Sequence, residues 1–184
     1  EKFYRHYVWA RYYFLFGHYE LAARSAEEAH TNRKLQESSP LVPANLMIWF
    51  MSVTQNWYSY SEPKRGELAV WVTEVLNSFS LRKDYSPSNY LPAWLLMNAE
   101  WFRIIGKHED ALQHFQRSFD AAGANIYHRA ITSELWGKYL LTKNTQDSCA
   151  RNLLVTAIDS FNEWGAIAKA KQLTQQFEAL LSVE

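Results

Sequence analysis

Gly106-Lys107-His108-Glu109-Asp110-Ala111, with Trp94–Arg103 before it and Phe115 after it, decides the fold. A helix carrying Leu95, Ala99 and Phe102 ends at Gly106, and a second, carrying Ala111, Phe115 and Phe119, starts beyond it. Glycine permits the tight turn, alanine lets two helix backbones approach, and the bulky residue fills the space beside it. A similar frame stands at Gly17-His18-Tyr19-Glu20-Leu21-Ala22, with Ala10 seven residues before the glycine. A degenerate third copy runs from Gly137, through a turn at Asn144, to Cys149 and Leu153. Internal repetition of helical hairpins implies an all-α, right-handed solenoid of antiparallel hairpins.

Gly17, Pro40, Pro43, Pro63, Pro87 and Gly123 punctuate the chain between periodic segments. They leave about nine helices, near 2–16, 19–36, 44–59, 64–83, 90–105, 108–122, 126–142, 146–163 and 166–181. No stretch alternates long enough for a strand. Short connections make sequential helices antiparallel, giving hairpins 2–36, 44–83, 90–122 and 126–163 and a final helix at 166–181, all within a single repeat domain, 1–184. The two turn glycines are 89 residues apart and the third turn follows 38 later. The period of about 34 of tetratricopeptide repeats is therefore only approximated. Met47, Phe50, Thr54 and Trp57 keep helical spacing through the divergent hairpin between them.

Apolar residues make up 48% of the 184 and aromatics 16%, which excludes a disordered chain. Nineteen basic and nineteen acidic side chains cancel, so no surplus of cations marks a nucleic-acid partner. A single cysteine fits a reducing compartment and a cytoplasmic location. No apolar run is long enough to span a membrane. The first helix is aromatic on every side, with Phe3, Tyr4, Tyr7, Val8, Trp9, Tyr12, Tyr13, Phe14, Leu15 and Phe16. A helix of that kind is normally covered. The expectation is that the chain is part of a longer protein, or that the first helix self-associates or meets a partner.

Ser133-Glu134-Leu135-Trp136-Gly137-Lys138-Tyr139-Leu140, Ala150-Arg151-Asn152-Leu153-Leu154, and Phe161 through Trp164-Gly165-Ala166-Ile167-Ala168-Lys169 to Leu173 narrow the field. Together with Phe14-Leu15-Phe16-Gly17-His18-Tyr19-Glu20, they resemble the tetratricopeptide-like helical-repeat region of large signalling proteins built around a predicted ATPase module. In that family a protein-kinase-like domain often precedes the ATPase, and GAF and histidine-kinase or cyclase modules often follow the repeats. The resemblance implies a protein-interaction and regulatory module coupling an ATPase or sensor to an output domain, with no reaction of its own. Asn144 departs from the turn glycine usual in the family, although asparagine tolerates left-handed geometry.

No phosphate-binding loop, kinase catalytic loop, nucleophile elbow or zinc helix is present. The six histidines lack the spacing of metal ligands. Cys149 reads as a packed thiol, Glu27 and Glu28 as a solvated face, and Glu109-Asp110 as carboxylates favoured at a helix start. No cofactor, metal or catalytic residue is therefore expected. First helices of the hairpins should line a concave groove, with Tyr4, Tyr7, Arg11 and Phe14, then Leu96, Glu100 and Arg103, then Glu134 and Lys138 as partner contacts. Small-ligand sensing in an aromatic-lined pocket is the alternative, and an α/α enzyme comes behind it.

Overall fold

The computed structural model describes residues 1–144 and 147–182, apart from the side chain of Leu35. Among these residues there are ten α-helices and no strand: α1 Lys2–Leu15, α2 Tyr19–Thr31, α3 Leu41–Gln55, α4 Glu62–Tyr85, α5 Pro87–Ile104, α6 His108–Ala122, α7 Ile126–Leu141, α8 Ser148–Glu163, α9 Ile167–Gln176 and α10 Glu178–Leu181. The chain divides into two compact units, Glu1–Pro87 with Glu100–Lys107, and Ser88–Ala99 with His108–Glu184, so α5 lends residues to both.

The two turn glycines do what their residue type suggests. Gly17 has φ +81° and Gly106 φ +77°, the left-handed region that costs glycine nothing. After Gly17, the amide of His18 bonds the carbonyl of Tyr13 at 2.9 Å while that of Gly17 bonds Phe14 at 3.1 Å. Lys107 and Gly106 repeat the pair on Phe102 and Arg103, at 2.9 and 3.4 Å. These paired bonds satisfy carbonyls that a helix end leaves over. A third turn of the same geometry lies at Gly165, where Ala166 bonds Phe161 at 2.8 Å and Gly165 bonds Asn162 at 3.0 Å. Five residues after each glycine stands a buried alanine, Ala22, Ala111 or Ala170.

The copy expected at Gly137–Leu153 differs. Asn144 does follow α7, but no described non-glycine residue has a positive φ. Cys149 is exposed rather than packed, and Ala150 takes the interior position. The reason is local: Asp147 caps α8, its Oδ1 accepting the Ala150 amide at 2.8 Å, which turns the second helical residue outward and the third inward. The expected start of this helix at residue 146 lies outside the described residues. Gly137 has another purpose. A Cβ there would lie 3.0 Å from Cγ of Leu154 and 3.2 Å from the carbonyl oxygen of Ala150, so its bareness permits the close crossing of α7 and α8.

Three of the prolines start helices instead of separating them. Pro43 lies in the first turn of α3, Pro63 in that of α4 and Pro87 opens α5. Amides there have no helical acceptor, so proline loses nothing. The final predicted helix is two, because Phe177 leaves helical geometry between α9 and α10 (φ −115°, ψ 20°).

In the first unit, α1 and α2 form a hairpin and α3 packs on both. Phe3, Tyr7, Ala10 and Phe14 bury one stripe of α1, and Ala22, Ala23, Ala26 and Ala29 one face of α2. In the second, α6 runs back along α5: Ser118 Oγ donates to the Pro92 carbonyl at 2.9 Å, and the His114 ring lies 6.4 Å from that of Trp94. Next, α7 packs between α6 and α8, with α9 on α8.

Candidate interaction surface

The sequence of α1 reads KFYRHYVWARYYFL. Spacing Phe3, Tyr7, Ala10 and Phe14 on the buried side sends the remaining aromatics outward. Tyr4 is 43% exposed, Val8 61%, Trp9 48% and Tyr12 48%. The rings interlock: Trp9 stacks on Tyr13 at 5.6 Å, Tyr12 meets Tyr13 at 5.7 Å and Phe16 at 4.9 Å, and Tyr13 meets His18 at 6.3 Å. The Tyr4 hydroxyl donates to Gln36 Oε1 at 2.7 Å, tying one end of the stripe to the short 3₁₀ turn Lys34–Gln36. The helix carries Lys2, Arg5, His6 and Arg11 and no carboxylate. Glu1 precedes it, and Glu20, beyond the turn, lies 3.6 Å from Arg24.

The nine residues expected to line a groove are placed differently from one another. Tyr4 is exposed and Arg11 half-buried. Tyr7, Phe14, Leu96, Glu100 and Glu134 are buried, closed to a partner as the chain is folded. Tyr7 stacks on Phe3 at 6.1 Å, and Phe14 lies 6.0 Å from Tyr19. Glu100 and Arg103 belong to an interior polar cluster. Glu100 Oε2 accepts Arg103 Nε at 2.9 Å, Arg103 Nη2 at 2.7 Å and Gln55 Nε2 at 2.7 Å, and Nη2 also donates to the Thr54 carbonyl at 3.1 Å. Glu134 is held from two sides, by Lys138 and by Lys169 Nζ at 2.8 Å. Lys169 further donates to Gln172 Oε1 at 3.2 Å and lies 5.7 Å from the centre of the Phe161 ring. Burial holds its ammonium below the usual lysine range, and Lys138 adds to this while Glu134 opposes it.

Gln55, Thr54 and Lys169 went unassigned in the sequence. Gln55 joins Glu100 across 45 residues of chain and Thr54 joins Arg103 across 49, which no local spacing reveals. Lys169 carried a signal, since it stands in the Trp164–Lys169 turn. Its ammonium is turned inside because α9 begins two residues earlier. Among the described residues, no three His, Cys, Asp or Glu side chains gather around a point that could hold a metal ion. No helix among them is long and apolar enough to cross a membrane.

One half-buried histidine should make folding sensitive to acid. His128 opens α7 behind the Asn125 cap, whose Oδ1 accepts its amide at 3.2 Å. Its Nδ1 is buried without a hydrogen-bond partner among the described residues. Burial lowers its pKa from 6.5 to about 4, as expected where charging a desolvated ring is opposed. The unfolded chain therefore takes up this proton before the folded one does. Stability from this group is complete above pH 6.5 and is lost as pH falls toward about 4, by about 3 kcal/mol in total. His30, lowered by burial and then by Arg33, acts in the same direction. We expect His128→Phe to flatten the acid limb of the stability curve by about that amount, measured by urea unfolding across this range. An unchanged slope would contradict the assignment.

Comparison with protein-family models, with characterised proteins and with solved structures found no match.

Proposed function

We propose that the chain is a non-catalytic protein-interaction and regulatory module of a signal-transduction protein, coupling an ATPase or sensor region to an output domain. Its hairpins would form a right-handed, tetratricopeptide-like solenoid, and the outer face of α1 would make the contact. The observation supporting this is the exposed aromatic stripe of α1, ordered by ring contacts along its length. Contiguous apolar patches of this kind mark association sites on soluble domains. Aromatics beside arginine are the composition that carries binding energy at such sites.

A photo-crosslinking residue at Tyr12, compared with one at Tyr85, tests the reading. Tyr85 is 90% exposed at the end of α4, away from any aromatic stripe on its own helix. In the parent protein, position 12 should give a discrete adduct with a defined segment of another domain or protein, and position 85 should not. Equal, diffuse labelling at both positions would contradict it.

Small-ligand sensing is the second reading. A hollow of about 280 Å³ beside α9 supports it, lined by Asn162, Ile167, Ala170, Lys171, Thr174 and Gln175. Ligand sites usually enclose about 300–1,000 Å³, which places this hollow just below the range and ranks the reading second.

A further inference from the structure

We propose that the α1 stripe receives an amphipathic helix whose apolar ridge is bordered by carboxylates. The proposal rests on reading this face as a contact surface, and goes further by fixing the partner's chemistry.

The shape of the stripe points to a helix. Arg5, Trp9, Tyr12 and Phe16 follow one another at helical spacing, with Tyr4, Val8 and Tyr13 alongside. Over these residues the ridge is about 16 Å long, roughly three turns, and side-chain ridges of this kind seat in the grooves of a second helix. A peptide that binds by strand addition needs a sheet edge, and the described residues contain no strand. The rings are already ordered against each other, which lowers the entropy lost on docking.

Charge selects among helices. Exposed Lys2 and Arg5 give the outer side of α1 positive charge, and the helix carries no carboxylate. Carboxylates along the partner's ridge would meet them, whereas a cationic partner would be repelled. The same argument disfavours a second copy docking through this stripe, because two-fold pairing sets a patch against itself and would oppose cation to cation. An anionic membrane also matches the charge, but offers a wide surface. The neighbouring helix α2 exposes Glu20, Glu27 and Glu28, carboxylates that a single docked helix has no need to meet.

The test uses the whole 184-residue chain and two fluorescein-labelled synthetic helices of about four turns. They share a Leu/Phe ridge and differ only in flanks of Glu or of Lys. In fluorescence anisotropy the Glu-flanked helix should bind at least about tenfold more tightly. Lys2→Glu with Arg5→Glu should reverse the preference. Both changes place carboxylates in the first turn of α1, where the helix dipole favours them, so the fold is retained. Trp9→Ser with Tyr12→Ser should abolish binding of both peptides. Equal affinity for the two peptides, or no binding of the Glu-flanked one, overturns the inference. So does binding to phosphatidylcholine–phosphatidylserine vesicles that Trp9 and Tyr12 support while neither peptide binds. Self-association in sedimentation that is lost in the same double variant would assign the stripe to a second copy instead. If peptides fail while the Tyr12 crosslink yields a defined protein segment, only the partner's chemistry is wrong. If that crosslink fails too, the contact-surface reading falls with it.

Discussion

Glu134→Ala should lower the unfolding free energy by about 3–5 kcal/mol, the usual loss when one member of a buried ion pair is removed. The carboxylate is buried and shared by two ammonium groups, of which Lys169 is 3% exposed and Lys138 25%. Without it, Lys169 keeps Gln172 and the Phe161 ring but loses its anion, and two cations are left facing each other. The cost is in the uncompensated charge, so it should be largely recovered when Lys169→Met accompanies Glu134→Ala. Urea unfolding of the single and double variants measures both effects. Glu20→Ala is the internal control. Its pair with Arg24 lies at the surface, with both side chains at least 70% exposed, and such pairs contribute little. A Glu134→Ala loss as small as that control's would mean that the cluster is solvated and that α9 is not held to α7 through it.

Phe115→Ala should cost about 3–5 kcal/mol, as for other fully buried aromatics. Phe115 is completely buried in α6, stacked parallel to Trp136 at 6.3 Å and lying 5.8 Å from Tyr139. Its removal opens a cavity against α7 and forfeits both ring contacts. Phe119, one turn on, is half-buried and meets Trp136 only edge-on at 6.5 Å. Phe119→Ala should cost less, under about 2 kcal/mol. Sequence spacing treats these two phenylalanines alike, and the structure ranks them. Denaturation midpoints that place Phe119 above Phe115 would mean that α6 is rotated about its axis.

What could be read from the sequence was whatever the residue type determines locally. Gly17 and Gly106 were legible because a left-handed helix end selects for glycine, and Ala22 and Ala111 because close approach selects for a small side chain. Asn144 failed the same logic, since asparagine tolerates that geometry without requiring it. Cys149 was misplaced by one residue once the cap at Asp147, which fixes the phase of α8, went unused. Gly165 makes the third equivalent turn, yet its motif was valued as a family signature rather than as geometry. The burial of Glu100 and Glu134 was hidden for another reason. Glu100 and Glu134 carry charge, which argues for a surface; each has a cation one turn on in its own helix, Arg103 and Lys138, but the partners that complete their enclosure, Gln55 and Lys169, stand 45 and 35 residues away. In α1 the aromatic content was plain, but the division of its rings between interior and exterior needed the position of α2 and α3.

The functional reading stands on the claim that the fold does not need the outer rings of α1. The most direct test is the urea unfolding free energy of Trp9→Ser combined with Tyr12→Ser. The two side chains lose mainly contacts with each other and with the half-buried rings of Tyr13 and Phe16, so the expected loss is below about 1.5 kcal/mol. A loss of about 3 kcal/mol or more, the cost of removing even one core aromatic, would show that these rings hold the fold together and leave no surface for a partner.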